Sequence, residues 1–200
     1  MQVLKEEIRF SILNAAKELF LEKGFEMASM NMIAKKAGIS KSNLYNYFPS
    51  KEDIFYVLTE YAYDKIESVL EDLFNHGSDD NFDVERFVAL ASEKLISLLT
   101  KYKKEMMLIV DCSQGTKFEG TKQAFILRLQ EHYISEFKKF DILVEDNDYF
   151  FVHYIATSLI EGLLEIIRHD KSDAWIRKNI NLFIKYYIRG YSQFFTDDFS

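Results

Sequence analysis

Residues 29–51, SMNMIAKKAGISKSNLYNYFPSK, leave the chain few folding options. Met30, Ile33, Ala34 and Ala37 recur at helical spacing and give a short helix one apolar face. Ser29 precedes them as an N-cap, its hydroxyl able to accept an orphan backbone N–H of the first turn. Gly38 follows the last periodic residue, where helices commonly end in a left-handed conformation that glycine adopts at little cost. Ile39 turns back toward the core, and Ser40 caps a second short helix over 41–46 in which only Leu44 is clearly inward. Ala34 is small where the two helices must cross closely. Two helices joined by a glycine-containing turn of about three to four residues form a helix-turn-helix, whose second helix can enter a major groove.

The second helix carries side chains suited to a groove: Lys41, Ser42, Asn43, Tyr45 and Asn46. Lysine can donate to guanine O6 or N7, and asparagine can bond adenine bidentately. Ser29, Tyr47 and Lys51 flank the unit and are expected at phosphates, Lys51 from the start of the next helix, where the helix N-terminus itself attracts anions. Arg9 lies opposite the apolar stripe of the preceding helix and is a further phosphate candidate. A merely solvated helix on a bundle would show a similar polar surface.

The pattern extends beyond spacing. Arg9, Ile12, Leu13, Ala15, Ala16, Leu19, Phe20, Gly24 and Phe25 lead into the two short helices, and Leu44-Tyr45, Tyr47-Phe48 and Ser50-Lys51-Glu52 close the run. Over residues 5–55 this resembles the N-terminal DNA-binding domain of the TetR/AcrR family of bacterial transcriptional regulators. The resemblance implies a DNA-binding domain at 1–50 and an effector-binding and dimerisation domain at 51–200. It implies double-stranded operator DNA as partner, a homodimer through the last two long helices, a small-molecule effector not identifiable from the residues, and a repressor's role in the cytoplasm. Two recognition helices about one DNA turn apart would read a palindrome.

The fold class expected is all-α, with about nine helices. One proline and seven glycines in 200 residues favour long helices over a turn-rich β fold. Helical stripes run over 5–22, 51–74, 82–101, 103–112, 119–140, 147–169 and 172–195, with polar loops at 75–81 and 113–116 and a frayed tail at 196–200. Ser50 and Asp53 have capping-box spacing ahead of the long fourth helix, expected to bridge the two domains. An effector cavity is expected among the fourth to eighth helices. Ser158 and Gly162 form a small-residue edge that another helix can approach.

The net charge of −7 is wrong for a DNA binder until it is divided. Residues 1–51 hold eight basic and five acidic side chains, +3, which leaves −10 for the remainder. Phosphate binding follows local charge. No stretch of 18 residues is free of charge and wholly apolar, so no membrane span is expected, and the first residues lack the layout of a signal peptide. Cys112 is alone, which fits a reducing compartment. His76, His132, His153 and His169 lack ligand spacing, and no P-loop, Rossmann glycine pattern or nucleophile elbow is present. No catalytic residue, cofactor or metal is expected. The rival readings are a co-activator of the same fold acting through protein contacts and a small helical enzyme binding an apolar substrate.

Overall fold

Short polar side chains set where the helices begin. In a computed structural model, which describes residues 2–77, 83–139, 149–169 and 171–195, Ser29, Ser40, Asp83 and Ser172 each accept a backbone N–H three residues ahead, from Met32, Asn43, Arg86 and Trp175. Those caps open α2 (Met30–Lys36), α3 (Lys41–Tyr45), α5 (Val84–Lys101) and α9 (Asp173–Ser192). The remaining helices are α1 (Gln2–Met27), α4 (Lys51–Gly77), α6 (Lys103–Asp111), α7 (Thr121–Lys139) and α8 (Phe150–Arg168), and a single 3-10 turn at Gln193–Phe195 follows α9. The described residues form no strand. At α4, Ser50 Oγ accepts the Asp53 N–H (3.1 Å) and donates to its carboxylate (2.5 Å), a reciprocal cap at the expected spacing.

Several boundaries moved, and α4 runs past residue 74 to Gly77, into the expected polar loop. α1 runs past residue 22 as far as Met27, but Gly24 at φ +77° breaks it, so its last turn is a separate piece. α7 begins at Thr121, because Glu119 accepts the Gly115 N–H and closes the preceding loop (2.8 Å). The expectations at 78–82, Phe140, 147–148 and 196–200 lie outside the described residues.

The contacts divide the chain into two units: Met1–Lys65 with Lys104–Thr121, and Ile66–Lys103 with Lys122–Ser200. α4 contributes to both. In the first unit Phe20, Phe25 and Phe55 stack mutually at 5.2–5.6 Å between ring centroids. Phe118, from the stretch between α6 and α7, joins them at 6.2 Å from Phe55 and 5.1 Å from Tyr63. The Phe25 N–H donates to the Cys112 carbonyl (2.9 Å), and Lys17 pairs with Glu105 (2.5 Å). These bonds draw 104–121 into the unit that holds the helix-turn-helix, and no local pattern in 104–121 announces them.

In the second unit α5 and α9 lie along one another. Ile176, Ile180, Ile184 and Ile188, four residues apart, are buried from α9, and Val88, Ala91, Leu95 and Leu98 from α5. A second cluster joins Ile126, Leu129, Tyr133 and Phe137 of α7 to Val152, Ile155 and Ala156 of α8. A Cβ at Gly162 would lie 2.4 Å from the Phe183 ring, so the small-residue edge of α8 is occupied by α9 of the same chain. α8 is long and apolar enough to cross a membrane by length and composition alone, although it carries Glu161 and Glu165. In this fold its buried side chains enter the core, and Glu161, halfway along, pairs with Lys122 (2.6 Å) and Arg168 (3.1 Å). That pairing also accounts for the acid in an apolar helix, since Lys122 and Arg168 hold the Glu161 carboxyl below the usual range.

His132 stacks on Phe74 at 4.5 Å, and burial holds its imidazole below the ordinary value of 6.5, opposed by Glu136. The native state disfavours the imidazolium, so unfolding takes up a proton at acid pH. The stability due to neutral His132 is complete above pH 6.5 and is lost as pH falls through the lowered native value. Denaturant midpoints should therefore drop as pH falls below about 6.5. His132→Gln should flatten that drop, and an unchanged profile in the variant would assign it elsewhere.

Candidate nucleic-acid interface

α3 is held from below by one side chain and at its start by one hydroxyl. Leu44 is wholly buried, while Lys41, Ser42, Tyr45 and Asn46 are exposed and Asn43 and Tyr47 half-buried. Ser40 Oγ caps Asn43 N–H (3.2 Å) and lies 3.2 Å from Ser42 Oγ. The turn between α2 and α3 needs a left-handed residue, and Gly38 supplies it at φ +71°. The Ile39 N–H then returns to the Ala34 carbonyl (3.0 Å), so the turn is fastened to α2 before α3 begins. Residues four apart share a helix face, so Lys41 with Tyr45 and Ser42 with Asn46 form one polar surface. The Lys41 ammonium lies 5.9 Å from the centre of the Tyr45 ring. A helix of five residues has little stability of its own, so its direction is imposed by Leu44 and the turn.

Of the residues expected at phosphates, Tyr47 follows this surface and Ser29 lies at the start of α2, its oxygen accepting the Met32 N–H (3.3 Å). Lys51 has another task. Its ammonium donates to the carbonyls of Phe25 (2.9 Å), Glu26 (3.1 Å) and Ala28 (3.1 Å) and sits 4.2 Å from the Phe25 ring centre. An ammonium has three N–H donors, so all are engaged, and the side chain caps the end of α1. Arg9 lies over the Phe48 ring at 4.6 Å. Sequence reasoning passed over Lys36, which pairs with Glu18 across α1 and α2 (2.9 Å), each holding the other in its charged form. Basic residues in the last turn of α2 were its visible signal.

None of the described His, Cys, Asp and Glu residues cluster as a metal site. Burial and Asp111 push the Cys112 thiol above its ordinary range, which favours the protonated thiol.

The fold and this surface define an all-α chain with an N-terminal helix-turn-helix. Residues 12–57 match the model of bacterial regulatory proteins of the tetR family. Over that segment the chain is similar to the N-terminal domain of that family. It is 50% identical over 52 residues to the HTH-type transcriptional regulator UidR of Escherichia coli K12, a match covering 26% of each chain. The matched segment thus spans about a quarter of that relative's length. The HTH-type regulator YfiR of Bacillus subtilis is 26% identical over 141 residues, 70% of this chain and 62% of that one. Among solved structures, a TetR-family member from Streptomyces coelicolor A3 superposes over 90% of each chain with TM-score 0.60 at 19% identity. AibR, solved in complex with isovaleryl coenzyme A and operator DNA, covers 88% of this chain and 97% of its own at TM-score 0.54 and 20% identity. At these identities the structural likeness speaks to fold.

Because the Lys51 ammonium is engaged within the protein, its loss should be felt without DNA. Lys51→Met keeps the stem and removes the donors, and should lower unfolding stability by about 1.5–3 kcal/mol in denaturant titrations. A variant that loses DNA affinity with unchanged stability would return Lys51 to a phosphate.

Proposed function

We propose that the chain is a DNA-binding transcriptional regulator that reads a palindromic operator as a homodimer and acts as a ligand-responsive repressor. The observation that carries the DNA reading is the exposed polar surface of α3, mounted on a turn fastened at both ends. In this reading residues 1–50 form the DNA-binding domain and 51–200 the effector-binding and dimerisation domain. Lys41, Ser42, Asn43, Tyr45 and Asn46 face the groove, and Ser29 and Tyr47 meet phosphates. Lys51 supports them by fixing the end of α1 ahead of α2. An effector acts by favouring a conformation with the wrong half-site spacing, and it can shift that balance only by its difference in affinity for the two states. α4 carries the shift, since it begins beside the helix-turn-helix and ends in the second unit.

Selection of bound fragments from random duplex DNA at a stated salt concentration tests the reading. A palindromic motif supports it, and a folded dimer that enriches nothing points to action through protein contacts. On the selected site Asn43→Ala should cost about 1–3 kcal/mol, with little loss on random DNA. Equal loss on both would refute base reading by Asn43.

The dimer reading draws support from apolar side chains left exposed on the last two long helices: Tyr154 of α8 (58%), and Leu182 (57%) and Tyr186 (78%) of α9. Tyr186→Glu places a charge in such a face. It should shift the sedimentation coefficient from dimer to monomer, with helicity preserved. A variant that remains dimeric would move the interface elsewhere.

A further inference from the structure

Half of the eight basic side chains in residues 1–51 are engaged within the protein. Lys17 pairs with Glu105, Lys23 with Glu22 and Lys36 with Glu18, and three carbonyls take the Lys51 ammonium. Lys5, Arg9, Lys35 and Lys41 remain, and among the described residues none of them meets a carboxylate. Three of the four are exposed lysines, whose long stems lose rotamer freedom when they grasp an anion.

Arg9 differs from them. It is half-buried, and its guanidinium lies over the ring of Phe48, itself 2% exposed, at 4.6 Å from the ring centre. Cation–π attraction holds the head at that ring and is stronger where water is partly excluded. No described carbonyl or carboxylate accepts any of its five N–H donors, so they stay available. Its base is fixed as well, because α1 is fastened to α2 by Ser11 Oγ, which donates to the Ala37 carbonyl (3.3 Å), and by Glu18 on Lys36 (2.9 Å). Phe48 closes α3: its N–H donates to the Leu44 carbonyl (3.0 Å), and Tyr47 precedes it. The head of Arg9 therefore stands at the exit of α3, beside a residue already expected at phosphate.

We propose that Arg9 is a DNA-phosphate ligand, pre-aligned by the Phe48 ring, that anchors the exit end of α3 on the backbone. The inference rests on the DNA reading above. A guanidinium can stack on a ring and still offer two N–H groups to one phosphate, which an ammonium cannot imitate. Such a contact positions the protein and carries no sequence information.

Affinity of the full-length chain for a labelled mixed-sequence duplex is measured by fluorescence anisotropy over a series of KCl concentrations, beside denaturant midpoints of the same proteins. Arg9→Met keeps an apolar stem over Phe48 and removes the charge and the donors. It should flatten the salt slope by about one and weaken binding about tenfold near 0.1 M salt. The loss should be the same on the selected site. Arg9→Lys should keep the parent slope and bind about three- to tenfold more weakly, since charge survives and the planar fork does not. The slope separates a lost contact from a lost fold, because unfolded protein scales every point alike. Parent slope in Arg9→Met with a lowered denaturant midpoint would make Arg9 a brace for Phe48 alone and overturn the proposal. Parent affinity in Arg9→Lys, or a loss confined to the selected site, would overturn it too. A parent chain whose binding ignores salt overturns the DNA reading along with this inference, whereas a salt-dependent parent with an unmoved Arg9→Met overturns this inference alone.

Discussion

The end of α1 is the constraint on which the reading head depends. Gly24 turns the chain at φ +77°, and Phe25 is then held in three ways. Its N–H donates to Cys112, its ring packs on Phe20 and Phe55, and its carbonyl accepts from Lys51, whose ammonium also lies over the ring. The last carbonyls of a helix have no partner within it, and a broken helix end inside a domain needs partners from elsewhere. Here Lys51 supplies them from the first residue of α4. The end of α1 is thereby tied to the start of α4, and α2 and α3 are the segment suspended between the two. A mobile lysine on a phosphate could not do this. The placement of α3 rests on an ion–dipole cluster at the far end of α2.

That distinction explains which features were legible in the sequence. Ser29, Ser40 and Ser50 were readable as caps because their partners lie three residues away. Gly38 and Leu44 were readable because a turn and an inward position leave a local mark. Lys51 was not, because its carbonyl partners lie 23 to 26 residues upstream and their approach depends on the break at Gly24. Its position at a helix start favours phosphate on local grounds, whereas the carbonyls that its ammonium engages leave no local mark. Phe118 and the Cys112 carbonyl were hidden for the same reason: nothing in a short loop predicts that it will dock on the end of the first helix.

The second unit shows the limit of reading apolar faces. The Ser158–Gly162 edge invited a close helix, and one does come close, but it is α9 of the same chain through Phe183. The hydropathy of α8 equally fits a helix in lipid, and only the pairing of Glu161 with Lys122 and Arg168 and the burial of Val152, Ile155 and Ala156 make it a core helix. Buried tyrosines replace some of the expected apolar filling. Tyr133 donates to Tyr187 (3.4 Å), and Tyr187 in turn donates to the Ile155 carbonyl. Burial pushes the Tyr187 hydroxyl up to about 12, so it stays a neutral donor across the physiological range.

Charge follows a similar division of labour. Some of the acidic side chains beyond residue 51 pair between helices: Asp72 with Lys94, Glu67 with Arg128, Glu161 with Lys122, and Glu85 with Arg189, while Glu161 also meets Arg168 of its own helix. Pairs this exposed contribute little to stability, about 0–1 kcal/mol each. Their effect is on register where they join two helices. The bidentate grip of Arg189 on Glu85 fixes how α9 lies along α5 more closely than a single contact would.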